Sequence, residues 1–476
     1  MNQEVNTMNE EHTEIPSLIE RAKSAQAVAA TYDQEQVRRI AGAIGWLAIQ
    51  RASAWADLVF AETGMGDTAS KETRTSTRAR VLMRDYQTAR TVGVIEEDAE
   101  RNIVKIGKPV GVVASLVPTT VPEGVVFIGA MNAIMGRNAT VFSPHPRAKH
   151  STARIVDELR ELLRRLDAPE DLLLCVEAPS IAKTDELMRA ADLVVATGGA
   201  PMVRAAYSSG TPAYGVGAGN AVVVVDETAD LDYVAGEIAS SQRSDQAIGC
   251  STENAAVVLG EVYDDAVAAF QRGGAHVCTP EEKERLQAAL FVDGHLNADV
   301  ICKPAATIAA AAGIELADGA DWFIVEESGF GREYPFSGEK LSVVVTLYRA
   351  DDFDHAVGIV NGIHAYSGAG HSCGIHSTNE ARIMQFAEQT NTVRVAVGQA
   401  TTKSNAGGWT SGMPLTINLG CGTWGGNIAA ENITWKHYIN TTWVARPIID
   451  PVIPTDEELF GSLMNEAELF TGYAVA

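Results

Sequence analysis

The feature that most constrains the fold is a regular alternation of apolar and amphipathic segments between residues 110 and 241. The apolar segments are short and have no polar face, as strands buried on both sides do. The predicted strands are Val110–Val117, Ala139–Phe142, Asp171–Val176, Asp192–Ala196 and Ala221–Val225, and the predicted helices are Gly124–Met135, Thr152–Leu166, Ile181–Ala190, Met202–Tyr207 and Tyr233–Ser241. This pattern predicts a doubly wound, Rossmann-like α/β domain, in which ligands bind beyond the carboxyl ends of the strands.

The length of the chain, 476 residues, predicts more than one domain. We expect a flexible polar N-terminus at 1–14, a Rossmann-like cofactor-binding domain at 15–244, an α/β catalytic domain at 245–420 and a return segment at 421–476. Within the last segment, residues 432–448 alternate between apolar and polar side chains, which predicts a long strand or arm that contacts another subunit. A capping-box pattern that starts at Thr455 predicts a C-terminal helix.

Composition excludes several classes of function. A net charge of −24 disfavours nucleic-acid binding, and no run approaches the roughly 20 apolar residues of a membrane span. The N-terminus lacks the layout of a signal peptide. The six cysteines are scattered, without a zinc or disulfide spacing. These features predict a cytoplasmic protein with free thiols and no metal.

Cys250 is the candidate nucleophile. It follows Gly249, at the junction between the alternating segments and a new apolar strand, Ala255–Leu259. A thiol beside a glycine that lets another molecule approach is suited to nucleophilic attack. The alternative is a small buried apolar residue, because free cysteine is often fully buried.

Two glycine-rich segments are candidates for phosphate binding. Thr197, Gly198 and Gly199 end one predicted strand and open a helix, where free N–H groups and the helix dipole favour a pyrophosphate. Gly217 lies in Gly215–Asn220, which precedes another strand. Each segment is equally compatible with a plain tight turn, since neither has the complete dinucleotide fingerprint.

Taken together, several motifs resemble the aldehyde dehydrogenase family, and in detail its CoA-acylating branch. The similarity extends from about Ile15 to Ala445. The motifs are Pro109–Val113, Pro118–Thr120, Arg137–Ala139, Phe142–Lys149, Ala205–Gly210, Gly215–Asn220, Gly338–Ser342 and Gly420–Asn427.

The resemblance implies a mechanism that is centred on Cys250. Its thiolate attacks an aldehyde, and the thiohemiacetal gives hydride to NAD or NADP and leaves a thioester. Hydrolytic relatives carry a glutamate base where this chain has Gly215–Gly219. Without that base, coenzyme A is the expected acceptor, because a thiol needs less activation than water. The expected product is an acyl-CoA.

The same resemblance implies further site residues. Glu339 corresponds to the glutamate that holds the nicotinamide ribose; the alternative is a surface acid beside Lys340. His371 corresponds to a histidine implicated in the acylating relatives, which implies a general acid–base role on the CoA thiol; the alternative is a histidine that fixes a loop.

Cofactor contacts are also implied at Thr119, Ser143, His145 and Pro146. The nearby Arg147 permits NADP without requiring it.

Two positions depart from the branch. Acylating relatives have an asparagine where this chain has Val121, and that asparagine donates a hydrogen bond to the reacting oxyanion. Val121 has no side-chain donor, so Thr120 or the Cys250 backbone N–H would have to substitute, or activity would be reduced. Gln246 likewise stands where relatives usually have asparagine.

Within the branch, segments around Cys250, Tyr366–His371 and Gly412–Pro414 are most similar to acylating sulfoacetaldehyde dehydrogenases. A sulfonate needs basic or amide donors near the cysteine. Arg243 and Lys403 are candidates from sequence position only, and we favour the alternative, a solvated surface, for either residue. The alternatives are an acetaldehyde or propionaldehyde acylating enzyme, or a weakened relative that only binds cofactor or a partner. We expect a homodimer or a homotetramer.

Overall fold

The computed structural model describes residues 14–466 and residue 469. This part of the chain forms two parallel sheets that are covered by helices, and a smaller antiparallel sheet. The flexible segment expected at 1–14 lies outside the described residues, except for Glu14, where the first helix begins.

The first parallel sheet confirms the predicted Rossmann-like fold. Its strands are β3 (Val112–Val117), β4 (Ala139–Pro144), β5 (Leu173–Cys175), β6 (Leu193–Thr197) and β7 (Ala213–Val216). They pair in the order β5-β4-β3-β6-β7, all parallel. Every residue of β3 and β4 is buried, which explains their apolar sequences. The strand order reverses between β3 and β6, where such sheets open a crevice for a ligand.

Helices cover both faces of this sheet. They are α1 (Glu14–Ala29), α2 (Gln34–Thr63), α3 (Thr68–Tyr86), α4 (Pro122–Met135), α5 (Lys149–Arg165), α6 (Ile181–Ala190) and α7 (Ala200–Ser208). Helix α3 begins at the N-cap Asp67, whose side chain accepts a hydrogen bond from the N–H of Ser70. Helix α4 is buried along its whole length, in agreement with its uniformly apolar sequence.

The second parallel sheet has seven strands in the order β10-β13-β14-β9-β8-β15-β16. They are β8 (Ala221–Val225), β9 (Glu253–Leu259), β10 (Ala275–Val277), β13 (Trp322–Glu326), β14 (Val344–Ala350), β15 (Cys373–His376) and β16 (Val395–Val397). Strand β9, which begins three residues after Cys250, lies between β14 and β8 near the centre of the sheet.

The second sheet is also covered by helices. They are α8 (Leu231–Arg243), α9 (Tyr263–Arg272), α10 (Pro280–Leu290), α11 (Ala305–Ala312), α12 (Phe353–Tyr366), α13 (Glu380–Gln389) and α14 (Thr401–Ser404). A short hairpin of β11 (Phe291–Val292) and β12 (His295–Leu296) follows α10.

The domain boundary that we expected at residue 244 is wrong. Strand β8 pairs with β9 and β15 in the second sheet, and α8 packs its buried face into the second core. The chain therefore changes sheets between Val216 and Ala221. An all-apolar strand has no feature that tells which of two parallel sheets it joins. The return also begins before residue 421, because Leu415 and Ile417 pack in the first core.

The third sheet is antiparallel and joins distant parts of the chain. It contains β1 (Gly93–Asp98), β2 (Ile103–Pro109) and β17 (Ile439–Ala445), with β2 in the middle. The strand predicted over 432–448 is shorter than expected, because residues Trp435–Tyr438 form a 3-10 turn.

The C-terminal segment beyond β17 is exposed. It contains the short helix α15 (Asp456–Phe460). Thr455 is its N-cap and forms the predicted capping box. Several apolar side chains in this segment face solvent, among them Ile449 (85%) and Val452 (93%). Among the described residues, no helix combines the length and apolar composition needed to cross a membrane.

Candidate active site

A cavity of about 740 Å³ lies where the carboxyl ends of β3, β4 and β6 meet the loop that carries Cys250. The structure places nearly all the predicted site residues on its wall. They are Thr119, Ser143, His145, Pro146, Thr197, Gly198, Gly199, Gly217, Cys250 and Glu339. His371 is fully buried and contacts Cys250. The predicted cofactor residues and the predicted nucleophile therefore share one cavity.

The loop before Cys250 has an unusual backbone. Asp245, Gln246 and Ala247 have φ angles of 54°, 56° and 56°, three consecutive residues in the left-handed region. Such a conformation is costly for residues other than glycine and persists only where surrounding contacts hold it. On the other side of the cysteine, a side chain at Gly219 would overlap the carbonyl group of Cys250. Glycine is therefore required there by close packing.

A buried ion cluster holds this loop against helix α3. Asp245 is completely buried, and its carboxylate lies 3.0 Å from Lys71 Nζ and 2.7 Å from Arg74 Nη2. It also accepts a hydrogen bond from the backbone N–H of Asp67. Because a buried carboxylate needs such partners, the cluster fixes both the loop and the start of α3.

Cys250 and His371 form the central pair of the site. The distance from Cys250 Sγ to His371 Nε2 is 3.2 Å, and His371 Nδ1 lies 2.8 Å from Ser372 Oγ. Arg394 donates a hydrogen bond to the His371 carbonyl. Burial, followed by the nearby charge of Arg394, lowers the pKa of His371 to about 3. The imidazole is therefore neutral and can accept a proton from the thiol.

Burial also shifts the pKa of the Cys250 thiol. It raises the pKa of Cys250 to about 12, with a smaller increase from Glu339, while Arg394 and Arg78 act in the opposite direction. The free protein therefore holds a neutral thiol beside a neutral imidazole. Such a pair becomes reactive when the proton moves from sulfur to nitrogen.

This protonation state predicts how Cys250 reacts with iodoacetamide. Only the thiolate reacts, so with a raised pKa the rate constant should increase about tenfold per pH unit from pH 7 upward, without a plateau below pH 9. The rate can be followed by mass spectrometry of the Cys250 peptide. A plateau near pH 6 to 7 would instead indicate a thiolate–imidazolium pair and contradict the neutral pair.

The cofactor side of the cavity has features that fit a pyrophosphate. Helix α7 begins after Gly199 without a side-chain cap. The N–H groups of Met202 and Val203 donate to the Gly199 carbonyl and Pro201 has none, so the N–H groups of Gly199 and Ala200 are the ones open to an anion. A side chain at Gly217 would meet no atom within 4 Å, which leaves the backbone there open to a ligand. The hydroxyls of Ser143 and Thr197 are already hydrogen-bonded to Thr184 and Asn418.

His145 is also engaged within the protein. Its Nδ1 accepts a hydrogen bond from the backbone N–H of Arg147. Burial, followed by the charge of Arg147, lowers the pKa of His145. His145 thus caps a short turn at the end of β4, and its own side chain is neutral at physiological pH.

Glu339 lies on the cavity wall and is not the surface acid that we considered as an alternative. One carboxylate oxygen accepts a hydrogen bond from the N–H of Gly219 at 3.2 Å, and burial raises the Glu339 pKa to about 8. The neighbouring Lys340 is buried and donates hydrogen bonds to the carbonyls of Asn254, Phe336 and Gly338. These three bonds hold the segment that presents Glu339.

Arg243 and Lys403, the candidate sulfonate ligands, do not line the cavity and instead form ion pairs at the surface, which was the alternative. Arg243 pairs with Asp321 and Lys403 pairs with Glu237. The basic side chains on the cavity wall are instead Arg74 and Arg78 of α3. Sequence reasoning missed them because α3 is more than 160 residues from Cys250. The available sequence signal was the spacing of Lys71, Arg74 and Arg78, which places the three basic residues on one face of a helix.

Comparisons with known proteins agree with this geometry. Residues 3–282 match the model of the aldehyde dehydrogenase family. The chain is 39% identical to a sulfoacetaldehyde dehydrogenase from Acholeplasma sp, covering 97% of this chain and 96% of that protein. It is 40% identical to an acylating sulfoacetaldehyde dehydrogenase from Bilophila wadsworthia, covering 94% and 98%.

A solved structure is similar over the same range. The crystal structure of an acetylating aldehyde dehydrogenase from Geobacillus thermoglucosidasius superposes with a TM-score of 0.89 at 33% identity, and covers 94% of this chain and 99% of that chain.

Proposed function

The chain belongs to the aldehyde dehydrogenase family, and from this premise we propose that it is a CoA-acylating aldehyde dehydrogenase. The observation that carries the proposal is the contact of 3.2 Å between the buried His371 and Cys250, which lines a cavity at the carboxyl ends of a Rossmann-like sheet. The motifs that predicted the acylating branch agree with the relatives that are about 40% identical over nearly the whole chain.

In this proposal, His371 Nε2 accepts the thiol proton while Cys250 Sγ bonds to the aldehyde carbon. The resulting thiohemiacetal is oxidised to a thioester on Cys250. NAD or NADP, when bound, supplies the hydride acceptor. The N–H groups of Gly199 and Ala200, the open backbone at Gly217 and the carboxyl group of Glu339 would hold it.

The bare backbone at Gly215–Gly219 supports transfer of the acyl group to a thiol and not to water. No side chain there can deprotonate water. Glu339 is the nearby carboxyl group, but its raised pKa, about 8, keeps it protonated at neutral pH, and it is bound to Gly219. Coenzyme A needs less activation than water and is the proposed acceptor, which gives an acyl-CoA.

The proposed substrate is sulfoacetaldehyde. The names of the two relatives at 39% and 40% identity support it, as do the basic side chains of Arg74 and Arg78 on the cavity wall. Acetaldehyde and propionaldehyde are the alternative, since the solved relative at 33% identity is an acetylating enzyme. The mostly apolar cavity has room for either class.

An aldehyde panel tests this function. The protein is mixed with sulfoacetaldehyde, acetaldehyde or propionaldehyde, with NAD+ or NADP+, and with or without CoA, and absorbance of the reduced cofactor is followed at 340 nm. We expect cofactor reduction that requires CoA and is fastest with sulfoacetaldehyde. Reduction without CoA would indicate hydrolysis, and no reduction under any condition would leave only a cofactor-binding relative.

The exposed C-terminal segment supports a homo-oligomer. Strand β17 lies at the edge of its sheet with unpaired backbone groups, and the apolar side chains of Ile449 and Val452 beyond it face solvent. A second copy of this chain would cover both features. We propose a homodimer or homotetramer, and sedimentation velocity should therefore detect no monomer at micromolar concentration.

The six free cysteines support a reducing, cytoplasmic compartment.

A further inference from the structure

Arg78 is a basic residue on the cavity wall that takes no part in the covalent steps proposed above. It lies on α3, and its guanidinium makes no hydrogen bond and no ion pair with any described residue. Such a side chain normally satisfies its five donors with a carboxylate or a phosphate. Burial lowers the pKa of Arg78 to about 10, which leaves it charged at neutral pH.

The other two cations of this region share one carboxylate partner. Lys71 and Arg74 both pair with Asp245. Glu123, the first acid of α4, is buried and attracts Arg78, but no ion pair within 4 Å joins them, and one carboxylate oxygen of Glu123 has no partner. Three cations thus face two carboxylates, which leaves one positive charge in excess beside the cavity.

The position of the guanidinium suits a small anion near the nucleophile. A side chain at Gly124 would lie 3.4 Å from Arg78 Nη1, so the guanidinium lies against the first turn of α4. This 14-residue helix begins at Pro122, its N-cap residue Val121 makes no side-chain hydrogen bond, and its positive end favours negative charge. Val121 and Ile417 supply apolar walls around the same point and line the same cavity as Cys250.

We propose that Arg78 is the specificity-determining residue that binds the anionic end of the aldehyde substrate, a sulfonate or a carboxylate one or two carbons from the carbonyl. A planar guanidinium can bind two oxygens of either group at once. The inference rests on the proposed function, because it assumes that an aldehyde reacts at Cys250. It also accounts for the basic side chain that Arg243 and Lys403 do not provide.

The test compares substrates in variants of one helix. We measure kcat/KM for sulfoacetaldehyde, succinate semialdehyde and propionaldehyde in the wild type, Arg78→Gln, Arg78→Lys and Arg80→Gln. In Arg78→Gln, the ratio of kcat/KM for either anionic aldehyde to that for propionaldehyde should fall about 100-fold. Arg78→Lys should retain part of the ratio. Arg80 is exposed on the same helix and, among the described residues, hydrogen-bonds only to the Ser76 carbonyl, so Arg80→Gln should leave the ratio unchanged.

A binding measurement tests the contact between Arg78 and an anion without any reaction at Cys250. Isethionate, a sulfonate without an aldehyde, is titrated calorimetrically into Cys250→Ala and Cys250→Ala/Arg78→Gln. We expect the dissociation constant to rise at least about tenfold in the second protein. Arg78→Lys provides the same comparison if Arg78→Gln does not fold.

The outcomes separate this inference from the proposed function. Equal losses for all three aldehydes, with isethionate binding unchanged, would overturn the inference and assign Arg78 to the reacting carbonyl or the thiolate. If the wild type oxidises no aldehyde with CoA, the proposed function fails, and the isethionate titration alone decides whether Arg78 binds an anion.

Discussion

Replacing Cys250 by alanine should lower kcat for CoA-dependent aldehyde oxidation by roughly 10⁴-fold or more. Without the nucleophile the covalent intermediate cannot form, which costs more than the loss of a single contact. The cavity and its cofactor side should remain, since alanine fits wherever cysteine does. Steady-state cofactor reduction measures the loss. Intact-mass spectrometry provides a second readout, because wild-type protein incubated with acyl-CoA should gain the mass of one acyl group and the variant should gain none.

Cys175→Ala is the matched control. Cys175 lies on β5 at the edge of the first sheet and does not line the cavity. Its replacement should leave both turnover and acylation unchanged. Full turnover in Cys250→Ala, or an acyl group that stays on the protein without Cys250, would contradict the assignment of the nucleophile.

Replacing Asp245 by asparagine should destabilise the protein by about 3 to 5 kcal/mol, because it leaves Lys71 and Arg74 buried without their carboxylate. Asparagine keeps the size of the side chain and an oxygen for the N–H of Asp67, so the change isolates the charge. Urea unfolding measures the loss of stability. The rate of iodoacetamide reaction at Cys250 should change as well, since the loop at 245–247 is held by the same contacts.

Two controls make this prediction specific. Asp321→Asn removes the carboxylate of the exposed Arg243 pair and should cost less than about 1 kcal/mol. The double variant Lys71→Met/Asp245→Asn removes one of the orphaned charges and should recover part of the stability. A loss in Asp245→Asn no larger than in Asp321→Asn would show that the buried cluster does not hold the loop.

Local pattern was sufficient to predict the strands, because strands with two buried faces are continuously apolar. It was not sufficient to assign Ala221–Val225 to a sheet, since that depends on packing between segments that are distant in sequence. The same limit explains why the sequence did not show which basic residues line the cavity. Arg243 lies seven residues from Cys250 and points away from the cavity, whereas Arg78 comes from another helix and lines it.

Cys250 and His371 could each be named as site residues from motifs, but their contact and their protonation could not be predicted. The neutral state of both groups follows from burial by segments that the sequence does not place. The close approach of Gly219 to Cys250 also depends on three-dimensional packing. Residue types could therefore be predicted at the site, and their electrostatic state required the fold.

The late return of the chain to the first domain has a consequence for its biosynthesis. Asn138 donates a hydrogen bond to the carbonyl of Tyr438, 300 residues later, and Ile417 packs in the core that the N-terminal third begins. During translation this domain emerges before the second, yet it cannot close until the segment from Leu415 to Tyr438 has left the ribosome. A nascent chain stalled before residue 415 would expose an unfinished core, so chaperones would meet this protein at its first domain and not at its last.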